Sequence, residues 1–415
     1  MTPLTKALVG CFVVALTLLC VLTFIPYPPA IEEARKVGFS DETIATGLKF
    51  SFERRILSWI GTALNLGLLG VLGLSGLGRR WADRFLAWTR GYRIPAALGM
   101  GLGYVALNEL LYLPRGIAWF YQSRAWGMGN PDYDLASWLQ DHYLGAGVNL
   151  VCEAIVLVGF YALVILMPRI WWLVAPIGGG MLGITYAYLA PIWINPLFND
   201  FTPLEKTKWS DQQPRVQALI DKAEIPVAEI LVMNASRQSS HTNAYFTGFG
   251  STRRIVLYDT LLKKHTPDEI ESVLAHEIGH WQHDHIAKGI LLGVIASLFG
   301  FWVLDRFLRG AVGTQPWNLQ STADPAGLWL ILLLINAGSW LAMPAENFVS
   351  RHFERQADEK SLELANKPDA FIACERKMAI DNKSNVAPKP WSVWILSSHP
   401  PTVERIRMAQ EWKDR

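Results

Sequence analysis

Thr266-Pro-Asp-Glu269-Ile-Glu-Ser-Val-Leu-Ala-His276-Glu277-Ile-Gly279-His280 reads as one helix with its start and its chemistry both written into it. Thr266 and Glu269 make the pattern of a capping box, and Pro267 takes the first helical position, where a missing N–H costs nothing. Ile270, Val273 and Leu274 mark an apolar face at helical spacing. On such a helix His276 and His280 project to the same side, one turn apart, and can share one Zn²⁺ ion. Glu277 follows the first histidine and is placed to accept a proton from a water activated there.

Around this helix the chain has the composition of a membrane protein. It is 51% hydrophobic and only 18% charged over 415 residues, too apolar for an ordinary soluble enzyme. Segments 7–25, 56–77 and 170–194 carry no charge, while 94–113 and 144–167 carry one acid each, Glu109 and Glu153. Segment 286–304 has Lys288 near its start, and 326–343 is shorter and uncharged. Each approaches or exceeds the length that crosses a bilayer, so the expectation is seven transmembrane helices. Segment 7–25 has no clear cleavage site and is followed by further spans, so it reads as an uncleaved helix rather than a signal peptide. Asparagines within the spans, Asn65, Asn108, Asn149 and Asn336, fit interhelical hydrogen bonding, whereas Glu109 and Glu153 call for water.

The four cysteines form no Cys-x-x-Cys pair, which argues against a thiolate metal site or a disulfide framework. A net charge of +2 says nothing for a nucleic-acid partner, and no basic run suggests one, so none is expected. Basic residues also fall on both sides of the second span, Arg35, Lys36, Lys49, Arg54 and Arg55 before it and Arg79, Arg80, Arg84, Arg90 and Arg93 after it. Charge alone therefore leaves the orientation open.

Four regions follow. Residues 1–194 hold five spans, 195–285 a zinc-protease domain, 286–344 two more spans, and 345–415 a helical part that completes the catalytic domain. Within the second region, the apolar runs at 229–233, 243–249 and 254–258 alternate with stretches rich in Gly and Ser, as three short strands do. An extended peptide can pair with an edge strand beside a zinc helix. Asn243 and Ala244 stand where such an edge would run, or in an ordinary strand.

Zinc requires a third protein ligand. His283 and His285 lie close in sequence but are poorly placed to close the same site, and read better as solvent or membrane-boundary histidines. Glu354 and Asp358, four residues apart, share a helix face: Glu354 can ligate the metal while Asp358 orients a ligand imidazole. A surface helix of alternating charge would read the same way in isolation. The two spans between are an even number, however, so this helix returns to the membrane face of His276 and His280.

With these residues in hand the chain resembles the seven-span zinc CAAX prenyl endopeptidases, also called a-factor-converting enzymes. The likeness rests on Pro196-Leu-Phe-Asn199 with Phe201-Thr-Pro-Leu204, on Ser239-Ser-His-Thr-Asn243-Ala-Tyr-Phe-Thr-Gly-Phe249, and on Arg254-Ile-Val-Leu-Tyr-Asp-Thr-Leu261. Ser350-Arg351-x-x-Glu354-x-x-Ala357-Asp358 and Ser398-His399-Pro400-Pro401-Thr-Val-Glu-Arg405 extend it to the C-terminal region. The resemblance implies a mainly α, integral-membrane fold, with seven helices enclosing a water-filled chamber that houses Glu109 and Glu153. It also implies a zincin-type (gluzincin) α+β catalytic domain with a small sheet. His276, His280 and Glu354 would hold one Zn²⁺ per chain, with Glu277 as general base and Asp358 behind a ligand. Asn243 and Ala244 would line the substrate edge, and His399 and Arg405 would face the cleft to position peptide or stabilise an oxyanion.

The implied substrate is a membrane-associated peptide or protein, prenylated in the CAAX case and losing the three residues after the modified cysteine. The implied orientation puts the catalytic site on the cytosolic face. The end Glu411-Trp-Lys-Asp-Arg415 lacks the paired lysines of an ER-retrieval tail, so the reading leans to a bacterial inner membrane, with the ER membrane as the eukaryotic counterpart. Three other readings compete: quality control of membrane proteins by a zinc protease, a seven-span transporter, and a metal-binding scaffold without catalysis. A transporter leaves the His276–His280 motif and its matching acidic helix unexplained, and the intact Glu277 argues against a dead scaffold.

Overall fold

The computed structural model describes residues 30–225, 229–248 and 252–415, with isolated positions before residue 25. The expected span at 7–25 therefore lies outside the described residues. From Ile31 the chain runs through α1 (Ile31–Lys36), α2 (Asp41–Leu74), α3 (Leu77–Trp88), α4 (Arg93–Ala125), α5 (Leu135–Leu166) and α6 (Trp171–Leu189). Next come β1 (Phe201–Pro203), α7 (Gln213–Ala223), β2 (Glu229–Met233), β3 (Ala244–Thr247) and β4 (Arg254–Tyr258). Then follow α8 (Asp259–Lys264), α9 (Pro267–Gln282), α10 (His285–Ala311), α11 (Gly327–Ala365), α12 (Pro368–Asp381), α13 (Pro390–Leu396) and α14 (Thr402–Lys413).

Six of these stretches are long and apolar enough to cross a membrane: α2, α4, α5, Trp171–Leu197, α10 and α11. Most outrun the segments expected from apolar runs alone. The start of α2 is an amphipathic extension whose Ile44, Gly47 and Phe50 are buried, and a Cβ at Gly47 would come 2.2 Å from the Ser384 carbonyl oxygen. Helices longer than the apolar run thus tie the membrane region to the polar one.

The largest departure is at α11. The expected seventh span and the separate helix carrying Glu354 are one 39-residue helix, with Pro344 inside it. The change from apolar to polar composition near 344 marks where the helix leaves lipid, not where it ends. The boundary expected at 344/345 falls within that helix.

Some polar groups inside the spans find partners across helices, whereas Asn108 Oδ1 is buried without one. Asn65 donates to Asn336 (2.9 Å) and accepts from the Tyr104 hydroxyl (2.8 Å). Glu109, expected to need water, instead meets His142 at 2.6 Å. Glu153 is exposed on α5. On α10 the apolar Leu291, Ile295 and Phe299 form an exposed stripe at helical spacing, suited to lipid.

The sheet has the order β1-β2-β4-β3, with β2 and β4 parallel and the outer pairs antiparallel. The strands at 229–233 and 254–258 match expectation, the middle one is shorter, and β1 was not foreseen. Side chains alternate across the sheet. Ile230, Val232, Ala244, Ile255 and Leu257 pack with Ile270, Leu274 and Ile278 of α9. Leu231, Met233 and Val256 turn to the other face with Tyr245 and Tyr258. Each fully buried Leu or Ile here stabilises by about 1.5–3 kcal/mol, so the sheet fixes α9 firmly.

Candidate metal centre

Helix α9 begins as its sequence dictates. The Glu269 N–H donates to the Thr266 hydroxyl (3.3 Å), and the Thr266 N–H donates to the Glu269 carboxylate (2.9 Å). Two turns further on, His276 and His280 bring their Nε2 atoms to 3.1 Å of each other. Glu354 approaches from α11, with Oε2 3.4 Å from His276 Nε2 and Oε1 3.4 Å from His280 Nε2. One ligand atom from each of the three lies within 4.8 Å of the others.

Gly279 makes this meeting possible. A Cβ there would sit 2.9 Å from Ala357 Cα and 3.0 Å from Ala357 O, closer than a side chain tolerates. The glycine lets the backbones of α9 and α11 touch one residue before His280. Ser361 donates to the Ser272 carbonyl oxygen (2.7 Å) two turns back along the same contact. Small residues thus set the spacing that delivers Glu354.

Behind the histidines lies a second layer. Asp358, 1% exposed, accepts from His276 Nδ1 at 2.8 Å. Arg405 holds Asp358 through Nε at 2.8 Å and through Nη2, and reaches Glu375 with Nη1 at 2.9 Å. Arg405 was expected to face the cleft. Its guanidinium instead turns inward behind His276, because Asp358 and Glu375 together claim it. His285 Nδ1 lies 2.8 Å from His280 Nδ1, and its Nε2 is 3.1 Å from Gln356 Oε1. His285 therefore buttresses His280 rather than sitting at a solvent or membrane boundary. His399 is exposed on the open side, with Nε2 3.4 Å from Glu354 Oε1 and Nδ1 2.9 Å from the Ser398 hydroxyl.

These groups fit a zinc ion. Two nitrogens each about 2.0–2.1 Å from zinc in a tetrahedron are about 3.3 Å apart, close to the separations here. Glu354 Oε2 is buried with no hydrogen-bond partner, an orphan that a cation would satisfy. With Nδ1–H given to Asp358, His276 points a lone pair at the same spot. Burial alone would lower the His276 pKa, yet the hydrogen bond to Asp358 and the adjacent Glu354 carboxylate outweigh it and push it up to about 10. The pocket thus favours positive charge where the three ligand atoms converge. Among the described residues this is the one His/Cys/Asp/Glu group found with such convergence.

Glu277 points to the side where β3 ends the sheet. Burial raises its pKa above the usual carboxylate range, which makes it a better proton acceptor. The Phe246 N–H donates to Glu277 Oε2 at 3.4 Å. The Tyr258 N–H bonds to the Asn243 carbonyl (3.1 Å), and β3 pairs with β4 from Ala244↔Leu257 to Thr247↔Arg254. In an antiparallel ladder the hydrogen-bonding positions alternate. Residues 243, 245 and 247 therefore face β4, and the main-chain groups of Ala244 and Phe246 face the open edge. The Asn243 side chain accepts from the Ala244 N–H (2.9 Å).

A buried carboxylate beside three converging His and Glu groups and an open strand edge have the layout of a metallopeptidase site. The model of Peptidase family M48 matches residues 207–413. A Bacillus subtilis protein described as the uncharacterized metalloprotease YhfN is 28% identical over 397 residues, covering 94% of this chain and 92% of that protein. CAAX prenyl protease 1 of Saccharomyces cerevisiae is 32% identical over 234 residues, and its Arabidopsis thaliana homolog 34% over 235. The match spans about half the length of these two relatives, 51% and 53%. The crystal structure of S. mikatae Ste24p superposes with a TM-score of 0.81 at 23% identity, covering 98% of this chain and 99% of that one, and so shares the fold. Residues 207–413 thus carry a Peptidase family M48 domain, and the protein is a multi-pass membrane metalloprotease of Ste24-like fold.

Proposed function

We propose that this protein is a zinc endopeptidase acting on membrane-associated polypeptides, with CAAX-type removal of the tripeptide after a prenylated cysteine as its leading reaction. The observation that carries the reading is the open edge of β3, whose outward Phe246 N–H meets the Glu277 carboxylate beside the three ligands. His276, His280 and Glu354 would hold the zinc. When bound there, zinc supplies Lewis acidity toward water and toward a peptide carbonyl.

The chain's own groups do the rest. The main-chain carbonyls of Ala244 and Phe246 accept from an extended substrate, and their N–H groups turn to it from Asn243 Oδ1 and Glu277 as it pairs as an added strand. Glu277 takes a proton from the attacking water, whose oxygen adds to the scissile carbonyl carbon. His399, exposed at the mouth of the site, donates toward the carbonyl oxygen as charge develops on it. Glu277 then returns the proton to the amine as the C–N bond breaks. No covalent bond to the enzyme forms. Asp358, gripped by Arg405, and His285 keep the two imidazoles aimed throughout.

The near full-length likeness to a Bacillus subtilis protein supports a bacterial cell membrane, and the resemblance to the CAAX endopeptidases supports a site on the cytosolic face. The purified protein, given a farnesylated C-a-a-X peptide beside the same peptide without the lipid, should cleave the farnesylated one faster, after the cysteine. Equal rates, or cleavage confined to unprenylated membrane segments, would replace the CAAX reading with general membrane proteolysis.

A further inference from the structure

A cavity of about 750 Å³ opens where β3 begins, on the sheet face away from α9. Two sequence stretches with no part in the metal centre meet there: Asn195 to Phe201, and Ser239 to Asn243. Its lining is polar yet uncharged. Among the described residues that form it there is no acid, lysine or arginine. His241 contributes an imidazole whose pKa is lowered chiefly by burial, which keeps the ring neutral near pH 7. Tyr245 and Tyr258 supply the aromatic wall, their rings 6.1 Å apart edge to face.

Three polar groups in this wall lack partners, Thr242 Oγ1, Asn199 Oδ1 and Asn382 Oδ1. Thr242 is 2% exposed and its Oγ1 makes no hydrogen bond; Asn199 Oδ1 is buried and equally unpaired. Buried polar atoms left unpaired are costly and mark places where a ligand supplies the missing bond. Asn243 and Tyr245 belong both to this cavity and to the strand that runs past Glu277. The cavity is therefore continuous with the catalytic edge rather than a separate site. At about 3.3 Å per residue, Asn243 lies about 10 Å along the strand from Phe246. A peptide extended along β3 reaches the cavity about three residues from the bond being cut.

We propose that this cavity is a substrate subsite that receives an uncharged peptide segment about three residues from the scissile bond and excludes charged side chains there. Recognition comes from amide, hydroxyl and aromatic groups meeting main chain and neutral side chains. A charged side chain would give up part of its hydration against a wall that holds no acid, lysine or arginine to pair with it, which is unfavourable. The subsite selects by excluding charge rather than by reading one residue type. The inference rests on the proteolytic reading of the β3 edge.

The test uses the full-length protein in detergent or lipid and one cleavable peptide. Variants of that peptide carry Asn, Lys or Asp at the third position on either side of the bond. On one side, Lys and Asp should each lower kcat/KM about tenfold or more relative to Asn. Asn199→Asp, which adds a negative charge without changing shape, should then raise the Lys peptide toward the Asn peptide and depress the Asp peptide further. Wild-type cleavage that ignores charge on both sides would overturn the subsite while leaving the protease intact. So would an Asn199→Asp protein with unchanged preference. A wild type that cuts none of the peptides would instead sink the proteolytic reading, and the subsite with it.

Discussion

The two helices that build the metal centre are opposites in how they are made. In α9 everything needed is local: a capping box, an apolar face packed on the sheet, and two histidines one turn apart within 16 residues. In α11 the useful residues stand at the far end of a 39-residue helix whose first part is membrane span. Glu354 meets His276 only because α10 leads out of the catalytic domain and α11 leads back. A zinc-binding motif can thus be compact while its third ligand depends on the whole membrane path. The contrast predicts that loss of the α11 carboxylate facing the histidines strips the metal, whereas changes behind the histidines or in the frame of α9 weaken its hold or cost only stability.

The sharpest way to break the contrast is Glu354→Ala. It should abolish both bound zinc, measured by elemental analysis, and proteolysis, while the protein keeps its helical circular dichroism. Zinc retained at one per chain would remove Glu354 from the ligand set. Asp358→Asn probes the layer behind His276, which aims a ligand without being one. Zinc affinity, read by competition with a coloured chelator, should fall about 10–100-fold, with metal still bound at high zinc. Unchanged affinity would mean that Arg405 and Asp358 only brace the fold.

Gly279→Val tests the contact at which the two helices meet. The new side chain would press on Ala357, costing about 1–3 kcal/mol and weakening zinc binding together with thermal stability. Stability lost with zinc affinity intact would show that the helix spacing does not set the site. Thr266→Ala should have the smallest effect. Loss of the cap lowers stability by about 1 kcal/mol, seen as a lower melting temperature, with zinc bound as before.

What the sequence disclosed follows the same division. The α9 cap and its histidine pair were legible because every signal lies within one helix, and two of the strands were legible because each is a short apolar run of strand length. Glu354 and Asp358 were legible as an in-phase pair, and counting spans was enough to bring them to the right face. The continuity of α11 was hidden, because the composition change near Pro344 resembles a helix end. The role of His285 was hidden too: it starts α10, after the positive-φ break at Asp284, and no helical period links it to His280. Arg405 was assigned to the cleft, yet its inward turn depends on Glu375, a buried acid with no motif of its own. Gly279 stood in plain view inside the motif, but its reason is the backbone of Ala357, and long-range approach leaves no periodic trace.

The central claim is that three residues hold one zinc and Glu277 uses it to cut peptide bonds. Purified wild type and Glu277→Gln, compared for zinc content and for cleavage of one peptide, test it most directly. Both proteins should carry one zinc per chain, and the variant should cleave about 10²–10⁴-fold more slowly. Equal cleavage by the two proteins would contradict the account.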